Sequence, residues 1–332
     1  MRANLPALLL LCVTPWGAGC SALADREQLQ SKPAPPPIEF LGAWGVKGNG
    51  PGLLDQPRSI ATDDFAAVYL ADAGVPDRFI NKFTRGGHPL QSFEPVAQIR
   101  NPCAAAVDYG GAIYILECNF AVLYVFLPEG KLLHAIRGGL SPSAKPSGVA
   151  VDGSGRIYVV ESGPERVLTY TPQGRFLRAL GANKSTPNNF IGANTIAAAP
   201  DGGVYVADSA RHWIARIASD GSVQNSWTWN PSAVCAIPEP LSGAKVESRD
   251  ICYLTVTPQF VILFSGPPTA PSIHIFAPDG REKRVALLQD LDPSLANVDV
   301  AGVASTPDGE IVVLDAAPRV LHFRLNLQDN QP

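Results

Sequence analysis

The chain has 332 residues, 46% hydrophobic and 17% charged, and its 26 Lys and Arg against 30 Asp and Glu leave a net charge of −4. No basic run occurs, so the electrostatic footprint of a nucleic-acid binder is missing. The 30 glycines and 31 prolines suit a turn-rich β protein rather than a helical one.

Residues 1–24 read as an export leader. Arg2 precedes an apolar run, LPALLLLCV (5–13), that is too short to span a bilayer. Two processing sites compete. WGAGC (16–20) is similar to a bacterial lipobox and predicts lipidation at Cys20, although Gly17 stands where Leu is usual. ALA (22–24) is a site for ordinary signal peptidase and predicts soluble export. Residues 25–37 are polar and end in a proline run, a stiffened spacer suited to tethering a body to an anchor. The expected location is the cell envelope, as a lipoprotein facing the periplasm or the surface, with a soluble periplasmic or secreted protein as the alternative.

From residue 38 to 328 one pattern repeats. Its first two runs are SIATDDFAAVYLAD (59–72), AAAVDYGGAIYILE (104–117), GVAVDGSGRIYVVE (148–161), TIAAAPDGGVYVAD (195–208), YLTVTPQFVILFS (253–265) and GVASTPDGEIVVLD (302–315). Each is a run of small residues, a polar turn and a β-branched or aromatic run. The ends of these units, Asp72, Glu117, Glu161, Asp208, Ser265 and Asp315, recur at intervals of 44 to 57 residues. A third apolar run follows in each unit, and in the first five it leads into a Gly-bearing hairpin turn and a fourth run such as FLRALG (176–181). The last unit has no room for a fourth run, but EFLGAWG (39–45) resembles it and lies before the first unit. The pattern predicts an all-β, six-bladed β-propeller of four-stranded blades, closed by the N-terminal strand completing the last blade.

The stretch PSGVAVDGSGRIYVVES with RVLTYTPQG (146–174) resembles an NHL repeat. The likeness is good over 57–84, 192–221 and 299–323 and degenerate in the second and fifth units, and it covers about residues 38–326. It implies the same propeller fold and leaves the task open, because such propellers include ligand- or protein-binding sensors, peptidylglycine lyases and the similar six-bladed gluconolactonases.

Two cysteines, Cys12 and Cys20, lie in the leader; Cys103, Cys118, Cys235 and Cys252 remain, with three connectivities open. Once the runs are placed on blades, Cys103 starts an innermost strand and Cys118 follows its antiparallel neighbour, which favours Cys103–Cys118. Cys252 starts another innermost strand and is left to Cys235 in the connection 227–249, whose length marks it as an insertion that caps one face.

Candidate binding residues are the polar groups at the starts of the innermost strands, Arg58, Ser147, Asn194 and Asp250, together with a cluster of Arg211 and Trp213 beside His212, which reads either as an exposed hot spot or, for Trp213, as the start of its strand. The gluconolactonase likeness implies an axial Ca2+ held by Asn194 and Asp250, two side chains of the six to eight oxygens required. His88, His134, His212, His274 and His322 lie away from the blade starts, so the zinc set of an amidating lyase is not expected. No G-x-S-x-G occurs, and GNGPG (48–52) is not followed by the Lys-Ser/Thr of a phosphate loop. The recurrent Asp or Glu is expected to accept hydrogen bonds from the turn that follows it. The function expected is a monomeric, non-catalytic scaffold, without a cofactor, that binds an envelope protein, peptide or glycan. The alternative is a Ca2+-type lactonase or lyase at the channel mouth.

Overall fold

The computed structural model describes residues 35–74, 80–93, 99–181, 190–230 and 251–327. Runs such as IYVVE and VYVAD are rich in β-branched and aromatic side chains and bounded by Gly and Asp, so they form short strands. In chain order they are β1 (Ile38–Trp44), then β2 (Pro57–Thr62), β3 (Val68–Asp72), β4 (Ile80–Phe83) and β5 (Pro89–Phe93) of blade 1. Blade 2 holds β6 (Pro102–Val107), β7 (Ile113–Glu117), β8 (Val122–Phe126) and β9 (Leu132–Ile136). Blade 3 holds β10 (Pro146–Val151), β11 (Ile157–Glu161), β12 (Arg166–Tyr170) and β13 (Phe176–Leu180). Blade 4 holds β14 (Ala193–Ala198), β15 (Val204–Asp208), β16 (Trp213–Ile217) and β17 (Val223–Thr228). Blade 5 holds β18 (Ile251–Val256), β19 (Val261–Gly266), β20 (Ser272–Phe276) and β21 (Glu282–Leu287). Blade 6 holds β22 (Val300–Ser305), β23 (Ile311–Asp315) and β24 (Arg319–Leu325). A single α-helical turn, α1 (Leu288–Leu291), links blades 5 and 6.

The strands form six antiparallel four-stranded sheets, and the fourth strand of blade 6 is β1. Ile38 stands opposite Leu325 and Trp44 opposite Val320, so the two ends of the body are hydrogen-bonded into one sheet as the sequence predicts. Closure leaves blade 6 without a missing outer strand. The inner strands β2, β6, β10, β14, β18 and β22 are successive neighbours, and β22 returns to β2.

The second and third strands carry apolar residues on both faces because each blade is covered by a blade on either side. The core is therefore six inter-blade layers. Between blades 3 and 4, for example, Tyr158 and Val160 meet Ile196, Val206 and Trp213. Hydroxyls stitch the inner ring where the chain ends meet: Thr62 Oγ1 donates to Ser305 O, and Ser305 Oγ donates to Val256 O, each at 2.6 Å.

Cys103 and Cys118 form the disulfide read from the sequence, with Cα atoms 5.9 Å apart. Cys252 is buried at the start of β18. Its expected partner Cys235 lies outside the described residues, as do Cys20, Asp250 and most of the insertion. The first residues of the expected insertion instead finish β17, where Trp227 pairs with Ile214.

Candidate functional site

The central channel has two mouths, one where the inner strands begin and one where they end. At the first, the recurrent carboxylates are wholly or almost wholly buried. Asp72 Oδ1 accepts from the backbone N–H of Gln56 and Gly74, at 2.8 and 2.9 Å, and Oδ2 from that of Asp55 at 2.8 Å. Glu117 accepts from Asn101 and Phe120, and Asp208 from Ile191 and Arg211. The donors lie in the following turn, as expected, and also in the segment that enters the same blade's inner strand. Each carboxylate thus pins the crossing from the previous blade. Glu161 and Asp315 add a bond from Arg166 Nε and Arg319 Nε, each at 2.6 Å.

Five inner strands begin with a register shift that leaves one residue unpaired: Arg58, Cys103, Ser147, Asn194 and Ala301. Arg58, Ser147 and Asn194 therefore occupy equivalent positions around this mouth. Arg58 is exposed and reaches Gln56 Oε1 at 3.4 Å. Ser147 Oγ and Asn194 Oδ1 are buried atoms without a hydrogen-bond partner. Asn194 supplies one neutral oxygen at this mouth, and Asp250, the other expected Ca2+ ligand, lies outside the described residues. Among the described residues no group of three His, Cys, Asp or Glu is placed to hold a metal.

Arg211 and Trp213 differ from the hot-spot reading of the sequence. Trp213 is buried, because it opens β16 on the face that meets Phe190, with ring centroids 5.8 Å apart. The Arg211 guanidinium lies over its ring at 5.0 Å. His322 is partly buried, and its Nε2 meets Glu310 Oε2 at 2.6 Å. In blade 5, where Ser265 replaces the carboxylate, Ser272 Oγ meets His274 Nε2 at 3.1 Å and His274 Nδ1 meets Glu282 Oε1 at 3.0 Å. The connectivity is that of a Ser–His–acid triad, but Ser272 and His274 are fully buried in the sheet, which leaves a substrate no approach.

The open site is at the other mouth. A funnel of about 390 Å³ is lined by all six inner strands from their midpoints to their ends. Its walls are mostly Ala, Val and Ile side chains, such as Ala61, Ala106, Val151, Ala198, Val256 and Ala304. None of Arg58, Ser147, Asn194, Arg211 and Trp213 lines it. The turns after the inner strands build the rim. Asp63 Oδ1 accepts from the N–H groups of Phe65 and Ala67, and its Oδ2 from Tyr69 OH at 3.0 Å. Asp108 with Tyr114 and Asp152 with Tyr158 repeat the arrangement. These turns present one rim residue per blade, Asp64, Tyr109, Gly153, Pro200, Pro258 and Pro307.

Charge at the rim is uneven. Burial opposes ionisation of Asp63, but the Ala67 N–H, Lys82 and the Tyr69 hydroxyl outweigh it and hold the carboxyl below the usual range. Asp64 is pushed up, by partial burial first and then by the charges of Asp63 and Asp108. Phe65 is 92% exposed and Tyr109 68% exposed, two aromatic rings flanking Asp64 in sequence and along the rim. Sequence reasoning missed this mouth. The signal was present as Asp and Tyr six residues apart in blades 1 to 3, which marks a built turn.

No protein-family model and no curated protein sequence matches the chain. Solved structures do. A streptogramin B lyase shares 12% identity over 87% of this chain and 98% of its own, with a TM-score of 0.56. Selenomethionine-substituted virginiamycin B lyase from Staphylococcus aureus shares 14% over 87% and 99%, with a TM-score of 0.54. The WD40 β-propeller domain of Doa1 shares 12% over 86% and 96%, with a TM-score of 0.53. At these identities the likeness is one of fold. The chain is a six-bladed β-propeller. The propeller's funnel is a concave site whose exposed surface is about evenly polar and apolar, with an acidic, aromatic rim, a form suited to holding a ligand.

Proposed function

We propose that the protein is an exported, non-catalytic binding propeller of the cell envelope, tethered by lipid at Cys20 and the spacer 25–37, that holds an envelope peptide, protein or glycan group at its axial funnel. The observation that carries this reading is the funnel itself, walled by small side chains of all six inner strands and rimmed by Tyr109 and Asp64, with Phe65 on the turn beside them. The Cys103–Cys118 disulfide supports an oxidising compartment, in line with the leader.

The test is a thermal-shift screen of short peptides, glycans and small organic ligands on the full chain and on Gly153→Trp. Gly153 lines the rim, and a Cβ there meets only the Tyr109 ring within 4 Å, so the variant is expected to plug the mouth and leave the sheets intact. A ligand at a hundred times its Kd raises stability by about 2.7 kcal/mol. A shift present in the wild type and lost in Gly153→Trp supports the reading. A hit that is chemically converted, followed by mass spectrometry, overturns the non-catalytic part.

A further inference from the structure

The rim carries a chemical bias that the funnel's shape alone does not. The funnel's exposed surface is shared about evenly between polar groups and the Ala, Val and Ile side chains of the inner strands, and the Thr62 and Ser305 hydroxyls are committed to the carbonyls of neighbouring blades. Those side chains give an apolar body a surface to lie against. The carboxylates close to the rim are also committed, with one exception. Asp63 serves two backbone N–H groups, Tyr69 and Lys82. Asp108 serves Gly110, Ala112 and Tyr114. Asp64 makes no hydrogen bond or ion pair among the described residues, although it borders both the funnel and a second hollow of about 600 Å³ beside it. The two cations of that hollow are already neutralised, Lys82 by Asp63 at 3.1 Å and Arg85 by Asp308 and Glu310. The uncompensated charge here is therefore negative. The charges of Asp63 and Asp108 add to it; the Asp64 carboxyl is pushed up by partial burial first and then by those charges.

Aromatic rings stand at the same place. Tyr109 leans across the next blade, where a Cβ on Gly153 would lie 3.3 Å from its Cε2, so the absence of a side chain on Gly153 keeps the ring over the mouth. Phe65, beside Asp64, opens onto the second hollow. Exposed aromatic faces next to an unpaired carboxylate attract an organic cation through both ring quadrupole and charge.

We infer that the funnel takes a small organic ammonium ion, its apolar body against the Ala and Val walls and its cationic head at Asp64 and Tyr109. This rests on the reading of the funnel as a binding site and names the ligand class that the site selects.

The experiment is isothermal titration of the full chain with hexyltrimethylammonium, with hexanol and hexanoate as neutral and anionic counterparts of the same chain length. The ammonium is expected to bind at least about ten-fold more tightly than hexanol, and hexanoate more weakly than either. Asp64→Asn is expected to erase most of that difference and leave hexanol unchanged, and Tyr109→Ala to weaken the ammonium several-fold. Asp64 is exposed and makes no bond, so its variant is expected to melt with the wild type. Raising the salt weakens the ammonium and not hexanol. Equal binding of ammonium and hexanol, lost in Gly153→Trp, overturns the cation assignment and leaves the binding reading standing. An unchanged ammonium affinity in folded Asp64→Asn overturns it as well. Binding of none of the three probes also overturns it, and the binding reading then answers to the screen on Gly153→Trp.

Discussion

Trp44, the last residue of the closing strand, lies over Gly87 of blade 1 so closely that a Cβ on Gly87 would stand 2.5 Å from its Cδ2. The indole Nε1 donates to Arg85 O at 3.0 Å in the same turn. The contact recurs around the ring: Phe93, Ile136, Leu180 and Trp227 cover Gly130, Gly174, Gly221 and Gly280 of the following blades. Five of the six outer strands thus send one side chain onto the glycine of the next blade's outer hairpin; β21 has no such hairpin beside it, because blade 6 takes its outer strand from β1.

Gly87→Ala is the direct test of this packing. Gly87 has φ +85°, so an alanine there meets both a left-handed backbone and the Trp44 ring. The expected loss is about 3 kcal/mol by urea unfolding, from backbone strain and overpacking together. Gly86→Ala is the control, since nothing lies within 4 Å of its Cβ position, and is expected to change stability by less than about 0.5 kcal/mol.

The buried carboxylates make a second prediction. Asp72→Ala leaves the N–H groups of Asp55, Gln56 and Gly74 without their acceptor. The expected cost is about 3 kcal/mol, and about half that for Asp72→Asn, which keeps one acceptor oxygen. Hydrogen exchange is expected to show faster exchange of these three amides and unchanged protection in β11 and β12. Unchanged exchange at Gln56 would refute the pinning role.

The blades, their number and their closure were legible because every level of the sequence repeats them. The alternation of turn and apolar run recurs in all six units at intervals of 44 to 57 residues, the acid after the second run and the hairpin glycine recur in five each, and the match of 39–45 to the missing run locates β1. The disulfide followed from strand order. The choice of mouth did not. Polar residues at strand starts read as a site, but Arg58, Ser147 and Asn194 sit one each on three blades, each left unpaired by a register shift that the sequence does not announce. The funnel is made of alanine and valine, which read as ordinary core until the ring is closed and their inward faces are left without a partner. Trp213 carried two readings in the sequence, an exposed cluster with Arg211 and His212 or the start of its strand, and its packing on Phe190 and the core of blades 3 and 4 gives the second.

The Asp–Tyr turns predict the acid limb of the stability profile. At Asp152 burial opposes the charge, but the hydroxyls of Ser154 and Tyr158 and the N–H groups of Ser154 and Arg156 outweigh it and hold the carboxyl below its ordinary 3.8. Its unfolded form binds the proton more readily, so stability rises with pH across that window. The contribution is complete above the ordinary value and is lost as pH falls through the lowered one. Tyr158→Phe is expected to cost about 1.5 kcal/mol near neutral pH, the loss of a hydrogen bond to a charged group. The difference from wild type is expected to shrink as Asp152 is protonated. Urea midpoints measured from about pH 7 to about pH 2 check both the size and the direction.

The Cys103–Cys118 bond closes a loop with a sequence separation of 15 around β6 and β7. In the chain-entropy account a loop of that size contributes about 3 kcal/mol by constraining the unfolded chain. The Cys103→Ser, Cys118→Ser double variant is therefore expected to melt roughly 5–10 °C below the wild type. Reductant is expected to lower the wild type by a similar amount. Its effect on the double variant should be smaller, which separates this bond from any other thiol contribution. The bond joins the unpaired residue at the start of β6 to the turn after β7, both at the mouth opposite the funnel. Ligand affinity at the funnel is accordingly expected to be the same in the wild type and the double variant when both are folded. A parallel loss of affinity would show that the two mouths are coupled through the inner strands.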